Sequence, residues 1–189
     1  DGGPSHDSPS AGYLIRKRVD PSAIPASSSG TYKKRQGVLY RLAEAYLSYA
    51  ESLYEYSVAM GTYTDNETEI LDYINRVRYR AGIPQYGKGA DQIPVTEAQL
   101  RDLIRRERRV ELNCEAGIRF DDLRRWKEAE TALNGKFYGM NALAKSTERD
   151  EYYKRTLYQT RRFISYWWPI PQDDIDKNTN LRQLPGWWR

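Results

Sequence analysis

Apolar and small residues recur at three- and four-residue steps between positions 38 and 60, which is the spacing of one face of an α-helix. The predicted buried face comprises Leu39, Leu42, Ala43, Tyr46, Ala50, Leu53 and Ser57. Its two alanines leave room for the close approach of a second helix, and Gly61 predicts where the first one ends. The pattern therefore indicates a long amphipathic helix that packs against a neighbour.

A second helical pattern follows after a short connection. Thr64 and Glu67 have the spacing of a capping box, in which each side chain satisfies a free backbone N–H. The predicted buried stripe and stop signals are Ile70, Ile74, Val77 and Ala81, then Gly82 and Pro84. Two amphipathic helices joined so closely pack antiparallel as a hairpin. The predicted fold is mainly α, with tetratricopeptide-like helical hairpins and an extended, Pro- and Trp-rich C-terminal segment.

The third predicted helix carries carboxylates on its apolar side. Thr96 and Gln99 predict its start as another capping box. On a wheel centred on the leucine at position 100, with 100° per residue, Glu107 and Glu111 lie within about 20° of the centre of the apolar stripe. An unpaired carboxylate in that place would cost several kcal/mol, so both glutamates are expected to have cationic or hydrogen-bonding partners.

Arginines downstream of this helix are the predicted partners. Seven arginines lie between positions 105 and 126, and three of them follow Gly117, where a turn would bring at least one back against the glutamates. Arginine suits this role because its planar fork can engage a carboxylate bidentately. The sequence thus predicts a structural, semi-buried ion-pair network of Glu107, Glu111, Arg119, Arg124 and Arg125.

A phosphate-binding surface and a catalytic pair are the alternatives for these charges. Thirty basic and 26 acidic residues leave a net charge of only +4 with both signs interspersed, which argues against nucleic acid as a partner. The remaining arginines considered, Arg101, Arg105 and Arg108, are expected on the outer faces. Carboxyls four residues apart on a helix are in mutual reach, but adjacent arginines favour the charged form, the wrong direction for a general acid. No catalytic residue is predicted.

The histidine and cysteine content limits metal and redox chemistry. A single histidine, His6, and a single cysteine exclude a histidine-built metal site, a histidine-dependent triad and an internal disulfide. No metal site and no cofactor are predicted. Cys114 falls within about 40° of the buried side of the third helix and is predicted to be a small buried residue within that helix.

The two ends of the chain differ from the helical middle. Residues 1–36 are predicted to form a mobile or extended segment, with an extended piece at 12–19, and 37–189 to form the helical domain. Residues 154–163 are predicted to be extended, and Asp173 or Asp174 to open a short helical turn that ends near Asn178. The aromatic tail is expected to pack across the helices, with an exposed sugar-binding platform as the alternative.

Four segments carry a family resemblance. They are RLAEAYLSYAES (41–52), INRVRYRAGIP (74–84), LIRRERRVELNCEAGIRFDDLRRW (103–126) and WPIPQDDIDKNTNLRQLPGW (168–187). In this order they resemble the C-terminal half of SusD/RagB-type proteins, which are nutrient-binding lipoproteins of the Bacteroidetes outer membrane. The third and fourth segments are the specific ones, because they join an E-R-R-x-E-L helix to D-L-R-R-W, W-P-I-P and P-G-W.

The resemblance implies a non-enzymatic protein that binds an oligosaccharide or peptide at the cell surface and caps a SusC-like TonB-dependent transporter. It also implies several hundred upstream residues and an N-terminal lipid anchor that are not in this chain. Because the family's ligand residues are expected mostly in that upstream half, no ligand-binding residue is assigned here. The resemblance implies no cofactor.

Two other functions remain as alternatives. A tetratricopeptide-like adaptor would bind a peptide or partner protein at a concave face lined by Tyr40, Arg41, Tyr49 or Tyr56. A glycan-degrading enzyme would need two carboxyls about 5 to 10 Å apart in an open cleft.

Overall fold

A computed structural model describes residues 11–13, 15–17, 19–20, 22, 37–115, 117–145 and 147–187. The elements within them are α1 (Leu42–Met60), α2 (Tyr63–Arg80), α3 (Glu97–Glu111), α4 (Ile118–Arg125), α5 (Ala129–Ala132), β1 (Gly135–Gly139), α6 (Arg149–Tyr152), β2 (Thr156–Arg161) and α7 (Gln172–Lys177). The mainly helical fold predicted from the sequence is confirmed. Contacts divide the chain into a unit of Arg18–Arg119 and a unit of Asp1–Lys17 with Phe120–Arg189. Most of the predicted segment 1–36 lies outside the described residues, so its boundary with 37–189 stays a prediction.

Helices α1 and α2 form the predicted antiparallel hairpin. Gly61 adopts a left-handed conformation with φ 70° and ends α1, and α2 begins two residues later. Rings near the turn and far from it pair across the two helices, with Tyr54–Tyr63 centroids 6.1 Å apart and Tyr46–Tyr73 centroids 5.5 Å apart. Away from the turn, the sequence number falls along α1 while it rises along α2, which is the pairing of two antiparallel helices.

The predicted start of α2 was wrong by two residues. Its N-cap is Thr62, so Thr64 lies inside the first turn and forms no capping box. The Asn66 side chain donates a hydrogen bond to the Thr62 carbonyl at 3.2 Å, which ties the first turn to the cap residue. Glu67 accepts a hydrogen bond from the Lys88 ammonium at 2.7 Å instead of capping the helix.

The buried face of α1 is rotated from the predicted one. Leu39 and Leu42 are 94% and 65% exposed. The buried residues of this helix are Leu47, Ala50, Glu51, Tyr54 and Ser57. Because α3 packs on α1 as well as α2 does, the face that becomes buried is the one between both neighbours. The core cluster comprises Ala50, Tyr54, Tyr63, Ile70, Ile74, Tyr86, Leu100 and Ile104.

Helix α3 begins as predicted and ends earlier than predicted. The Gln99 side chain accepts the Thr96 backbone N–H at 3.1 Å, as in a capping box. After the C-cap at Leu112 the chain turns, and positive φ angles occur at Cys114 and Gly117 before α4 starts. The prediction that Cys114 is buried within the helix was wrong, because the residue is exposed in this turn and the helical wheel no longer applies to it.

The unit that contains the C-terminal segment holds a small antiparallel sheet. Strand β2 confirms the extended conformation predicted for 154–163, and it pairs with β1, which the sequence analysis did not predict. Helix α7 occupies the position predicted for a short helical turn before Asn178. At the end of β1 a side chain on Gly139 would lie 2.4 Å from the Ala11 carbonyl oxygen, so this close approach requires glycine. The described residues of the predicted extended piece 12–19 form no strand.

Candidate functional site

The first charged cluster is centred on Glu107, which is only 7% exposed. The Arg78 guanidinium forms an ion pair with its carboxylate and also donates to the Pro84 carbonyl at 2.7 Å. The Tyr86 hydroxyl donates to the same carboxylate at 3.0 Å, and the Arg78 guanidinium lies 3.9 Å from the centre of the Tyr86 ring. These contacts join α2, α3 and the 82–95 loop, so the buried carboxylate has both a charge partner and hydrogen-bond donors.

The second cluster lies at the end of α3. Arg41 donates from Nη1 to Glu111 at 2.7 Å, and from Nε and Nη2 to Glu115 at 2.8 and 2.7 Å. Its Nη2 also donates to the Glu111 carbonyl at 2.9 Å, and Arg80 pairs with the second Glu111 oxygen at 2.6 Å. The hydrogen bonds to Glu115, and then those to Glu111, raise the pKa of Arg41 above its ordinary value. One guanidinium thus fastens the entry of α1 to the turn that follows α3.

A third ion pair lies between α1 and α3. Arg108 is 5% exposed, its Nη1 donates to the Ser48 hydroxyl at 2.9 Å, and its Nε lies 3.5 Å from Glu51. The expectation that Arg108 lies on an outer face was therefore wrong. Because α3 contacts both helices of the hairpin, more than one of its sides is buried. Arg101, near the start of α3, is exposed and forms an ion pair with Glu55 at 2.7 Å.

The arginines predicted to pair with Glu107 and Glu111 have the following positions. Arg119 is half-buried on α4. Arg124 donates to the backbone carbonyls of Ser165 and Tyr166. Arg125 pairs with Asp122, three residues before it, at 2.8 Å. The predicted network of Glu107, Glu111, Arg119, Arg124 and Arg125 stays a proposal, and the structure adds Arg41, Arg78 and Arg80 as partners of the two glutamates.

Tyr63 in the helical unit has a pKa that its surroundings raise. Burial, and then the nearby Glu67 carboxylate, raise the pKa of Tyr63 to about 12 from an ordinary 10.0. Its hydroxyl donates to Glu67 across 3.4 Å. The neutral phenol is therefore favoured in the folded state relative to the unfolded state.

We expect the Tyr63→Phe variant to resist alkali better than the wild-type protein does. A tyrosine with a raised pKa contributes stability that is fully present below its unfolded pKa near 10 and is lost as the pH rises through about 12. The difference in unfolding free energy between variant and wild type should thus shift in favour of the variant from pH 10 to 12, as measured by urea titrations. Tyr79→Phe, at an exposed position, is the control, and an equal shift for both variants would contradict the assignment.

The unit that contains the C-terminal segment, called the second unit below, has an open cavity of about 440 Å³. Its apolar wall is formed by Phe120, Leu133 and Phe163. The end of β2 and the residues after it supply Arg161 and Arg162 among the polar lining. Sequence reasoning missed this site, because two of its three apolar residues lie about 30 to 40 positions before the arginines in the chain.

The tryptophans of the C-terminal segment are less buried than predicted. Trp167 and Trp168 are 61% and 64% exposed. Trp168 contacts the Phe120 ring with centroids 5.9 Å apart, and Arg124 lies 4.7 Å from the centre of its ring. The Trp187 indole N–H donates to the Trp167 carbonyl at 2.7 Å. Tyr166, earlier in this segment, accepts a hydrogen bond from the Glu130 N–H of α5 at 3.4 Å. Among the described residues, the expected packing on helices is thus seen at α4 and α5.

Metal binding and membrane insertion have no structural signal in the described part of the chain. Among those residues, no group of three or more histidine, cysteine, aspartate or glutamate side chains is placed to hold a metal ion. None of the helices there combines the length and the apolar character needed to cross a bilayer.

Comparison with known proteins identifies the family. Residues 1–187 match the SusD family. Similar solved structures include selenomethionine BT4246, with 33% identity and a TM-score of 0.73 over 94% of this chain and 30% of that one. A SusD-like protein of Bacteroides fragilis NCTC 9343, BF3747, has 26% identity and a TM-score of 0.61 over 85% of this chain and 27% of its own.

A further similar structure is a SusD-like carbohydrate-binding protein of the same strain, BF0978. It has 35% identity and a TM-score of 0.55, over 76% of this chain and 28% of its own. No curated protein matches the chain. The chain spans less than a third of each of these solved proteins. On the match over nearly its whole length, the chain belongs to the SusD family.

Proposed function

We propose that this chain is part of a non-enzymatic, cell-surface glycan-binding protein of the outer membrane that acts with a SusC-like TonB-dependent transporter. The observation that carries the proposal is the family match over residues 1–187, together with the similarity to a SusD-like carbohydrate-binding protein at 35% identity. A lipid anchor would hold the protein at the surface. The ligand is an oligosaccharide.

The charged clusters support a binding role rather than a catalytic one. Glycoside hydrolysis needs two carboxyls that are open to the substrate, one of them protonated. Glu107 is buried against Arg78, and Glu111 is held by Arg41 and Arg80. Carboxylates paired in this way stabilise the scaffold and are not open to a substrate.

A panel of purified polysaccharides and oligosaccharides tests the proposal. The full-length protein should retain specific members of the panel in affinity gels or on a glycan array, and should release no reducing ends from them. Retention of no glycan would contradict the binding role, and release of reducing sugar would contradict the non-enzymatic one. Co-purification of a TonB-dependent barrel with the tagged full-length protein tests the transporter partnership, which fails if no barrel is recovered.

Exposed tyrosines favour a second candidate function, that of a peptide-binding adaptor. Three tyrosines on and just before α1 are exposed, namely Tyr40 (63%), Tyr49 (42%) and Tyr56 (59%). They leave an aromatic surface on the α1–α2 hairpin. Such rings are frequent in interfaces with peptides and proteins. Replacing Tyr40 and Tyr56 with serine should abolish capture of the partner if this reading holds, and should leave glycan binding unchanged.

A further inference from the structure

The cavity of the second unit combines an apolar wall with a basic edge. Phe120 at the start of α4, Leu133 after α5 and Phe163 after β2 supply the wall. Gln159, Arg161 and Arg162 supply polar groups along the end of β2. A volume of about 440 Å³ falls in the range of small-molecule sites, in which a mostly apolar lining carries a few orienting polar groups.

The cavity arginines have no acidic partner among the described residues. Arg161 donates to the Gln159 side chain at 2.8 Å and to the Tyr158 hydroxyl at 3.1 Å, and it lies 4.8 Å from the centre of the Phe137 ring. Arg162 forms no hydrogen bond or ion pair with the part of the chain that is described, and it is exposed. By contrast, carboxylates pair with Arg41, Arg76, Arg78, Arg80 and Arg101. These five arginines of the helical unit thus have acidic partners, which the two arginines of the cavity lack among the described residues.

Several residues that line the cavity are held by contacts within the chain. The pairing of β1 with β2 sets Arg161 opposite Gly135. Beyond the strand, the Phe163 N–H donates to the Asn134 side chain at 2.6 Å, and the Phe163 ring packs edge-on against Tyr166 with centroids 4.9 Å apart. Phe120 contacts the Trp168 ring, and the Arg124 guanidinium lies over both rings. Lining residues that are held in this way lose little conformational entropy on binding.

We propose that this cavity binds an anionic saccharide, whose carboxylate or sulfate group is held by Arg162 and Arg161 while its ring lies against Phe120, Leu133 and Phe163. The proposal rests on the glycan-binding function and names the chemical class of its ligand. Guanidinium groups recognise carboxylates and sulfates through charge-assisted, often bidentate hydrogen bonds. The apolar wall suits the C–H face of a sugar ring, which a free inorganic anion lacks. The cavity therefore selects for a charged sugar over both a neutral sugar and a simple ion.

Matched monosaccharide glycosides test this ligand class. The methyl glycosides of glucose and galactose would be compared with those of glucuronic acid, galacturonic acid and the two 6-sulfates, by saturation-transfer NMR titration of the full-length protein. At least one charged glycoside should bind roughly tenfold more tightly than its neutral counterpart, as expected for an added charge-assisted contact. Comparing the affinities of the uronic acid glycosides with those of the 6-sulfates identifies which anion the site prefers.

Substitutions locate the binding to the cavity. Arg162→Gln should remove the preference for the charged glycoside, and Arg162→Lys should keep most of it. Arg182→Gln is the matched control, because Arg182 is another exposed arginine of the same unit without a described ion pair, and it should change nothing. Preserved preference in Arg162→Gln, or an equal loss in Arg182→Gln, would overturn the proposal.

The remaining outcomes separate this inference from the proposed function. Equal binding of charged and neutral glycosides would overturn the anionic ligand class while leaving glycan binding intact. Binding of neutral polysaccharides on the array with no binding of any charged glycoside would do the same. Binding of neither the panel nor the glycosides would overturn both proposals.

Discussion

Replacing Arg78 with methionine is expected to lower the free energy of unfolding by about 3–5 kcal/mol, because it leaves a carboxylate buried without its cation. The two side chains are 8% and 9% exposed, so water cannot take over the lost interaction. The variant also loses the hydrogen bond from Nε to the Pro84 carbonyl, which holds the start of the 82–95 loop on α2. Urea titration monitored by circular dichroism measures the change, with an unaltered denaturant slope as the sign of an intact two-state transition.

A second substitution separates the charge from the packing. Combining Arg78→Met with Glu107→Gln removes both charges of this pair, and the glutamine can still accept a hydrogen bond from the Tyr86 hydroxyl. About half of the lost stability should therefore return. Arg101→Met is the control, since its pair with Glu55 is 43% and 40% exposed and should contribute at most about 1 kcal/mol. If Arg78→Met is as mild as Arg101→Met, the buried pair does not stabilise the hairpin as argued.

Helical periodicity located the two glutamates on the inner side of α3, but it did not identify every partner that the structure shows for them. The helical wheel placed Glu107 and Glu111 on the inner side of α3, and both are largely buried in the structure. Their cations come from Arg78, 29 residues earlier, and from Arg41, 70 residues earlier. Local spacing carries no information on such pairs, because they form only when three helices pack together.

Two short-range signals predicted helix ends correctly, whereas the Thr64–Glu67 capping box did not. Gly61 ended α1 and the Thr96 capping box opened α3, as predicted. The end of α3 was missed because Leu112 and Cys114 carry no stop signal, and the glycine that does comes only at position 117. Strand β1, GKFYG, was missed because its five residues include two glycines and its partner lies about 20 residues later.

The second large effect is expected at Arg41, whose replacement by methionine should cost about 2–3 kcal/mol because it removes charge-assisted hydrogen bonds to two carboxylates. The Glu115 side chain is only 5% exposed, so it would lose two short contacts in a place that water reaches poorly. Arg41→Lys keeps the charge but cannot reproduce a fork that bonds to Glu111 and Glu115 together, and should cost about 1–2 kcal/mol. The measurement is again the unfolding free energy from urea titration.

Arg80→Met is the matched control for Arg41, because both arginines pair with the same Glu111 carboxylate. Arg80 is 59% exposed, so its removal should cost at most about 1 kcal/mol. Raising the salt concentration to 1 M should shrink the small Arg80 effect and leave most of the Arg41 effect, since partly buried pairs are screened less than exposed ones. Equal losses for the two variants, or equal sensitivity to salt, would mean that Arg41 acts only as a surface charge and that the junction between α1 and the turn after α3 is held by other contacts.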